Sequence, residues 1–473
     1  MHVPPELLHK ILRQATVVPE AFDTSFEAVL HEDREAILKA IQTSMFTKTS
    51  LSLVSKLFHD LVEEFLYEIV SIRRFVHVPP LSKLLRSQTT YGWGTTKTHG
   101  QQCRRLEICL GTGGSDVYQD TAWYEGGHTL WGLIAACPNI NILLCRIWAK
   151  DRSQAISHRI LTLPHLTHIS LWKLIASTCG PQLRRIELFG FSIRMDRVEM
   201  MLRYCTMLEV CHLVHVLPYS DEEQIYDSEE PASIEIPFFR GTCIVTDNTN
   251  GRPSQLFDEL ARSEFKNAKT HTSWPACSLE SPYTLPSLHT FHIDEFNPRV
   301  SQLNMPALQH LGLYEGDLDA ETMAEYILAS CSFFPRTLTH LSFGDYKVPL
   351  ELILNAFPHI TKLCLHYTWE HTGLSAVKNP HTSLSVVEYV CHDSLENMSY
   401  HVGDLLSVAE SGMLPALREV AVVRWERKGR KDENLPVEKF RILGVTLGVK
   451  LIKPFGQYLV DGVLRHPDYL YYQ

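Results

Sequence analysis

Two rhythms of apolar positions alternate along the chain. The first is a short phrase of the form Pro, any, Leu, any, any, Leu, any, Leu, plainest in Pro306-Ala-Leu308-Gln-His-Leu311-Gly-Leu313. Close copies are anchored at Leu166, Leu183, Leu288, Ile360 and Leu417, looser ones at Ile140, Leu208, Leu338 and Leu384, and a weak first copy at Cys103. Its alternating tail predicts a strand with one face buried. The second rhythm has spacing i, i+3, i+4, i+7: Val198, Met201, Leu202, Cys205; Ala324, Ile327, Leu328, Cys331; Leu350, Ile353, Leu354, Phe357; and Val402, Leu405, Leu406, Ala409. That spacing predicts one apolar helix face. Proline between the two has no amide to donate and drives its predecessor towards extended geometry, so it ends the helix and launches the strand.

The anchors at 288, 308, 338, 360, 384 and 417 are spaced by (417 − 288)/5, about 26 residues, inside the range of leucine-rich repeats. One helix-strand unit cannot cover its own apolar face, so neighbours stack. The expected fold class is α/β: a leucine-rich-repeat solenoid with parallel strands on the concave side and helices outside. An ordinary α/β domain also alternates helix and strand, but here the strands share one side-chain template. Residues between the buried leucines then point to the inner face. They are His168, Trp172, Arg185, Glu187, Phe189, His292, Asp294, His310, Tyr314, His340, Lys362 and His366, a mixture of aromatic, charged and imidazole groups suited to holding a target protein.

Ahead of the repeats lie three amphipathic runs. Pro4 and Pro5 open one with Leu8, Ile11, Leu12 and Ala15 on a face; Phe26 to Ile41 is the second; Leu51 to Ile69, with Val54, Leu57, Phe58 and Leu61 on a stripe, is the third. The stretch Val3-Pro-Pro-Glu-Leu-Leu-His-Lys-Ile-Leu12 resembles the opening of an F-box, and Leu51-Ser-Leu-Val-Ser-Lys-Leu-Phe58-His-Asp-Leu61, followed by Phe65-Leu-Tyr-Glu68, resembles its second half. About 30 extra residues separate the halves, and Phe58 stands where that family usually has Trp. The resemblance is to fungal-type F-box proteins with leucine-rich repeats. It implies a module that docks on the Skp-type adaptor of a cullin-RING ubiquitin ligase through Pro4, Pro5, Leu7, Leu8, Ile11, Leu53, Val54, Leu57, Phe58 and Leu61. The same residues would serve equally to pack the helices on the first repeat as a cap.

The expected organisation is a helical F-box-like module over 1–78, a turn-rich linker over 79–102, and repeats over 103–217. An irregular acidic and polar insertion or degenerate repeats follow over 218–283, then repeats over 284–431 and a cap over 432–473. The acidic run Ser220 to Pro231 reads as a solvated loop or as a lip that selects charged partners.

Net charge of −10 gives nucleic-acid binding no support. Twelve cysteines occur without a CxxC pair and often at apolar positions, as at Cys137, Cys205 and Cys331, so reduced core residues are expected. No secretory signal or membrane span is legible, which points to cytoplasm or nucleus. Arg424 to Lys431 reads either as an import signal or as an exposed basic loop. The glycines of Gly111-Thr-Gly113-Gly114-Ser-Asp116 fit neither a dinucleotide fingerprint nor a phosphate loop.

Histidine recurs beside the central leucine at 168, 212, 292, 310, 340 and 366. Three readings compete: half-exposed polar residues, a pH-sensitive face, or a metal site, which a row of strands would spread apart. No catalytic, cofactor or metal motif is present, and the role that the F-box resemblance implies is a non-catalytic substrate receptor of a ubiquitin ligase. The alternative is a protein-binding scaffold with no ligase role.

Overall fold

The structure is a computed structural model. It describes residues 4–30, 32–74, 77–90, 96–111, 130–148, 175–189, 201–214, 283–293, 303–313, 336–344, 350–366, 377, 379–391, 404–424, 450–452, 459–460 and 463–464. These fall in two compact units, one within Met1–Val210 and the other within Cys211–Val216 and Pro282–Tyr472. No described helix is long and apolar enough to cross a membrane.

The first unit opens with α1 (Pro5–Thr16), α2 (Phe26–Leu30), α3 (Arg34–Ser52) and α4 (Lys56–Leu66). Proline starts α1, where its missing amide would have had no helical partner. The Asp33 carboxylate accepts from the Ala36 amide at 3.0 Å and so starts α3, and Ser55 Oγ accepts from the Phe58 amide at 3.2 Å and starts α4. The Asp33 cap is the reason the run expected over Phe26 to Ile41 breaks in two, with α3 continuing to Ser52. Leu12, Leu61, Val62 and Phe65 form a core on which Leu8, Leu51 and Phe58 lean.

Four parallel strands follow: β1 (Ile69–Ile72), then, after α5 (Val78–Arg86) and an antiparallel pair β2 (Gln88–Thr90) and β3 (Thr96–Thr98), the strands β4 (Arg105–Gly111), β5 (Ile142–Trp148) and β6 (Arg185–Phe189). A helix, α6 (Leu130–Ala136), leads into β5. Within the stretch 79–102, expected as a turn-rich linker, α5, β2, β3 and a helical turn at His99–Gln102 are regular structure. Ile69 to Ile72, where the third helix was expected to end, is the first strand. Register runs Ile69, Arg105, Ile142, Arg185 across the ladder, and Leu106, Ile108, Leu143, Ile186 and Leu188 are buried on its helix side.

β7 (Val210–Val214) spans the boundary in sequence, and β8 (Tyr283–Thr284) pairs with β10 (Leu303–Asn304). The second unit's main ladder is β9 (Thr290–Ile293), β11 (His310–Leu313), β12 (His340–Phe343), β13 (Lys362–His366), β14 (Val386–Cys391), β15 (Glu419–Arg424) and β16 (Lys450–Ile452), each parallel to the next. Before β13 runs α7 (Leu350–Ala356), whose Leu350, Ile353 and Leu354 are buried as the spacing predicts. Residues 404–410 are helical and end at Gly412, with φ of 80°. There the Met413 amide reaches the Val408 carbonyl and the Gly412 amide reaches that of Ala409, a left-handed stop that glycine permits.

The repeated phrase has an atomic meaning. In Leu285-Pro-Ser-Leu288, Met305-Pro-Ala-Leu308, Phe357-Pro-His-Ile360 and Leu414-Pro-Ala-Leu417 the last amide donates to the first carbonyl at 3.1–3.4 Å, closing a turn with proline second, where its fixed φ belongs. One carbonyl at the start of each strand then accepts two successive amides of the following unit. Glu68 takes Arg104 and Arg105, Arg104 takes Asn141 and Ile142, and Asn141 takes Arg184 and Arg185. In the second unit His289 takes Gln309 and His310, and Gln309, Thr339, Thr361 and Ser385 continue the series. The hydroxyls of Thr339, Thr361 and Ser385 add a second bond to the preceding carbonyl at 3.0–3.4 Å. The architecture is α/β with long parallel ladders built from a repeated turn-and-strand unit.

Candidate protein-binding surfaces

The N-terminal helices sort their apolar side chains into two sets. On α1, Leu8 and Leu12 face the core while Leu7 and Ile11, one turn apart, are exposed. At the α3–α4 corner Leu53 is 81% exposed, with Val54 and Leu57 beside it in sequence also exposed. Leu8 of α1, Leu51 of α3 and Phe58 of α4 each lean on the shared core. Pro4 and Pro5 are exposed at the start of α1. Of the residues the resemblance assigns to an adaptor, Leu61 belongs to the core, and Leu8 and Phe58 are half-buried against it. Phe46 of α3, 76% exposed, is a further outward apolar side chain that the sequence pattern did not single out; it lies seven residues before Leu53, which caps that helix.

On the strand face of the first unit, Arg185 and Glu187 are corrected outright. Both were expected on an open recognition surface, and both are buried, Arg185 at 2% exposure. Glu32 and Arg34, from the extra segment between the two F-box-like halves, lie against them. The Arg185 guanidinium donates to both Glu32 carboxylate oxygens at 3.1 and 2.7 Å and through Nε to Glu187 at 2.7 Å. Arg34 donates to Glu187 at 2.9 Å and to Glu32 at 3.0 Å. The four groups form a ring of alternating charge. Burial alone would raise the Glu32 carboxyl, but the guanidinium groups of Arg185 and Arg34 outweigh it and hold the carboxyl below its ordinary value. Nearby, Arg105 donates to the Ala21 carbonyl and to Glu107, and Thr24 donates to Glu209. Val18, Ala21 and Ile41 pack on Ile69 of β1, with Phe22 and Ile37 around them.

One signal for this contact was present in the sequence. Arg105-Leu-Glu107 and Arg185-Ile-Glu187 place opposite charges two apart on one strand face, and Glu32-Asp-Arg34 offers the complementary spacing.

In the second unit, histidines form a file. Ring centroids of His212 and His292 are 4.2 Å apart and nearly parallel, those of His292 and His310 are 4.3 Å apart edge to face, and those of His310 and His340 are 5.9 Å apart. His212 and His292 are buried, which corrects His292 as an exposed contact; His310 and His340 are half-buried. His310 Nε2 lies 2.9 Å from Ser342 Oγ, and His340 Nδ1 lies 2.9 Å from Thr339 Oγ1. Lys362, next in register after His340, pairs with Glu388 at 2.8 Å. Strand spacing sets the imidazoles in a line, and among the described residues no three metal-ligating side chains converge. His168, Trp172, Asp294 and Tyr314 lie outside the described residues, as do the acidic run and the basic cluster after Arg424; Phe189 and His366 end their strands.

A further histidine acts as a bracket. The Leu384 amide donates to His381 Nδ1 at 3.1 Å, leaving Nε2 to donate to the Phe357 carbonyl at 3.1 Å. Burial lowers its pKa. Cys103, Cys137, Cys179 and Cys205 are fully buried thiols. Burial pushes Cys179 up to about 12.

An open groove of about 430 Å³ between the end of α1 and α3 has Glu20 and Lys39 as its charged lining, among alanines, threonines, Ser44 and valines. No protein-family model matches the chain, and no curated protein matches it.

Proposed function

We propose that the chain is the substrate-recognition subunit of an SCF-type cullin-RING ubiquitin ligase, non-catalytic itself, that brings a target protein to the ligase and so raises its local concentration there. The observation that carries this reading is the division of apolar side chains in the N-terminal helices. Leu7, Ile11, Leu53, Val54 and Leu57 are turned outward while a core of Leu12, Leu61, Val62 and Phe65 is complete without them. Exposed apolar side chains on α1 and at the α3–α4 corner suit helix packing by a partner, and they are residues that the F-box resemblance assigns to the Skp-type adaptor. The target would meet the half-buried row His310, His340 and Lys362 of the second unit, as part of a repeat solenoid. The test is co-purification of a Skp-type adaptor with the full chain, and its loss when Leu7 and Leu57 become Asp. Retention of the adaptor by that variant would remove the assignment.

A second reading is a protein-binding scaffold with no ligase role, whose helices only cap the repeats. The docking of residues 18–34 on the strand face favours it. It expects no adaptor to be recovered from native cells with the intact chain.

A further inference from the structure

We infer that the described residues of 18–34 are a registry strap, which fixes the N-terminal helices in one register against the first strand ladder. The inference rests on the proposed function only for what the outward corner binds; the lock itself is read from contacts within the first unit.

Three observations combine. The strap lies in sequence between the two pieces of the apolar corner, after Leu7 and Ile11 and before Leu53, Val54 and Leu57, so the chain that builds the corner is tied down midway. It touches the ladder at separated points: Ala21 at Arg105 of β4, Glu32 and Arg34 at Arg185 and Glu187 of β6, and Thr24 at Glu209 ahead of β7. The ionic ring is closed, alternating and buried. Sliding the strap so that Arg34 met Arg185 would place like charges together out of water, so the ring admits one register. Its apolar anchors, Val18 and Ala21, cluster with Ile41 of α3 and Ile69, the first residue of β1. The strap adds to contacts that the helices make with the start of the ladder on their own, Arg13 of α1 with Glu68 at 3.1 Å and Ile41 of α3 with Ile69, and it alone carries them across to β4 and β6.

Exchange of the strap charges tests this in the full chain. Glu32→Arg with Arg34→Glu sets like against like, and amide hydrogen exchange should rise roughly 100-fold or more over 18–34 and at Arg104 and Arg105, while α1 and α4 around Leu12, Leu61 and Phe65 keep their protection. Adding Arg185→Glu and Glu187→Arg rebuilds an alternating ring and should restore protection. Should the double variant not fold, Glu32→Gln reads the same change at about tenfold. Unchanged exchange in the exchanged pair, or a quadruple variant as open as the double, overturns the lock. Affinity for a purified Skp-type adaptor is measured alongside: failure of the native chain to bind it ends the ligase reading and leaves the exchange result standing.

Discussion

Arg185 and Glu32 stand 153 positions apart in the chain and meet through two parallel hydrogen bonds of 3.1 and 2.7 Å. A strand residue expected to face a target is instead clasped by a residue from the helical end of the same chain. That pairing converts a surface of the first ladder into an interior.

Truncating one partner leaves the other charge buried and alone, so Glu32→Ala or Arg185→Ala should cost about 3–5 kcal/mol. Replacing the pair together by Leu and Met should be much milder. Urea unfolding of the three variants, with the slope compared as well as the midpoint, separates the two outcomes.

Acid should release the same contact. Glu32 is held below its ordinary value of 4.5 in the folded chain, so the unfolded chain binds its proton first. The contribution is complete above about pH 4.5 and is lost as pH falls through the lowered value. Thermal melts between pH 6 and pH 3 should show a steeper loss for the native chain than for Glu32→Gln.

His381 should give the second unit a separate dependence nearer neutrality. Its pKa is lowered from 6.5, chiefly by burial, and protonation at Nδ1 would end the bond from Leu384. Stability from this bracket is present above about pH 6.5 and is lost as pH falls through the folded value. His381→Gln, which offers one donor and one acceptor without titrating, should flatten that part of the profile.

Gly100 is fixed by a close approach and not by its dihedral angles. A methyl there would lie 2.0 Å from the Ala136 carbonyl oxygen and 3.1 Å from that of Leu85, both backbone atoms. Gly100→Ala should destabilise by about 1–3 kcal/mol or more, read as a lowered unfolding midpoint.

In the N-terminal helices, Leu7→Asp with Leu57→Asp should lower the unfolding midpoint only slightly, because Leu7 is 50% and Leu57 46% exposed, and should abolish adaptor recovery. Leu8→Asp or Phe58→Asp should lower the midpoint further, since each leans on the core.

Much of the fold was legible because its signals are local. Pro306 and Leu308 report a hydrogen-bonded turn, and Leu311 and Leu313 report a strand face, all within eight residues. Ile353 and Leu354 announced α7 in the same way. The strap was not legible by that route: Glu32 carries no periodicity and its partner is far along the chain, so only the complementary spacing of charges at 32, 34, 185 and 187 pointed to it. The end of α4 was misplaced because Phe65, Ile69 and Ile72 fit a helical spacing as well as a core-facing strand. At the corner the residue types were readable, but the division between Leu7 outward and Leu8 inward depends on how α1 rolls against α4, which no single helix encodes.

The doubled acceptor at each strand start bears on how such a chain can change over time. Anchoring carbonyls in the second unit fall at 289, 309, 339, 361 and 385, yet each makes the same pair of bonds. Alignment is thus fixed at a single peptide, and the span leading back to the next peptide of this kind is under no metric obligation. Segments there can lengthen, shorten or be exchanged while neighbouring strands keep their phase, which gives this scaffold a way to acquire new surfaces without refashioning its spine.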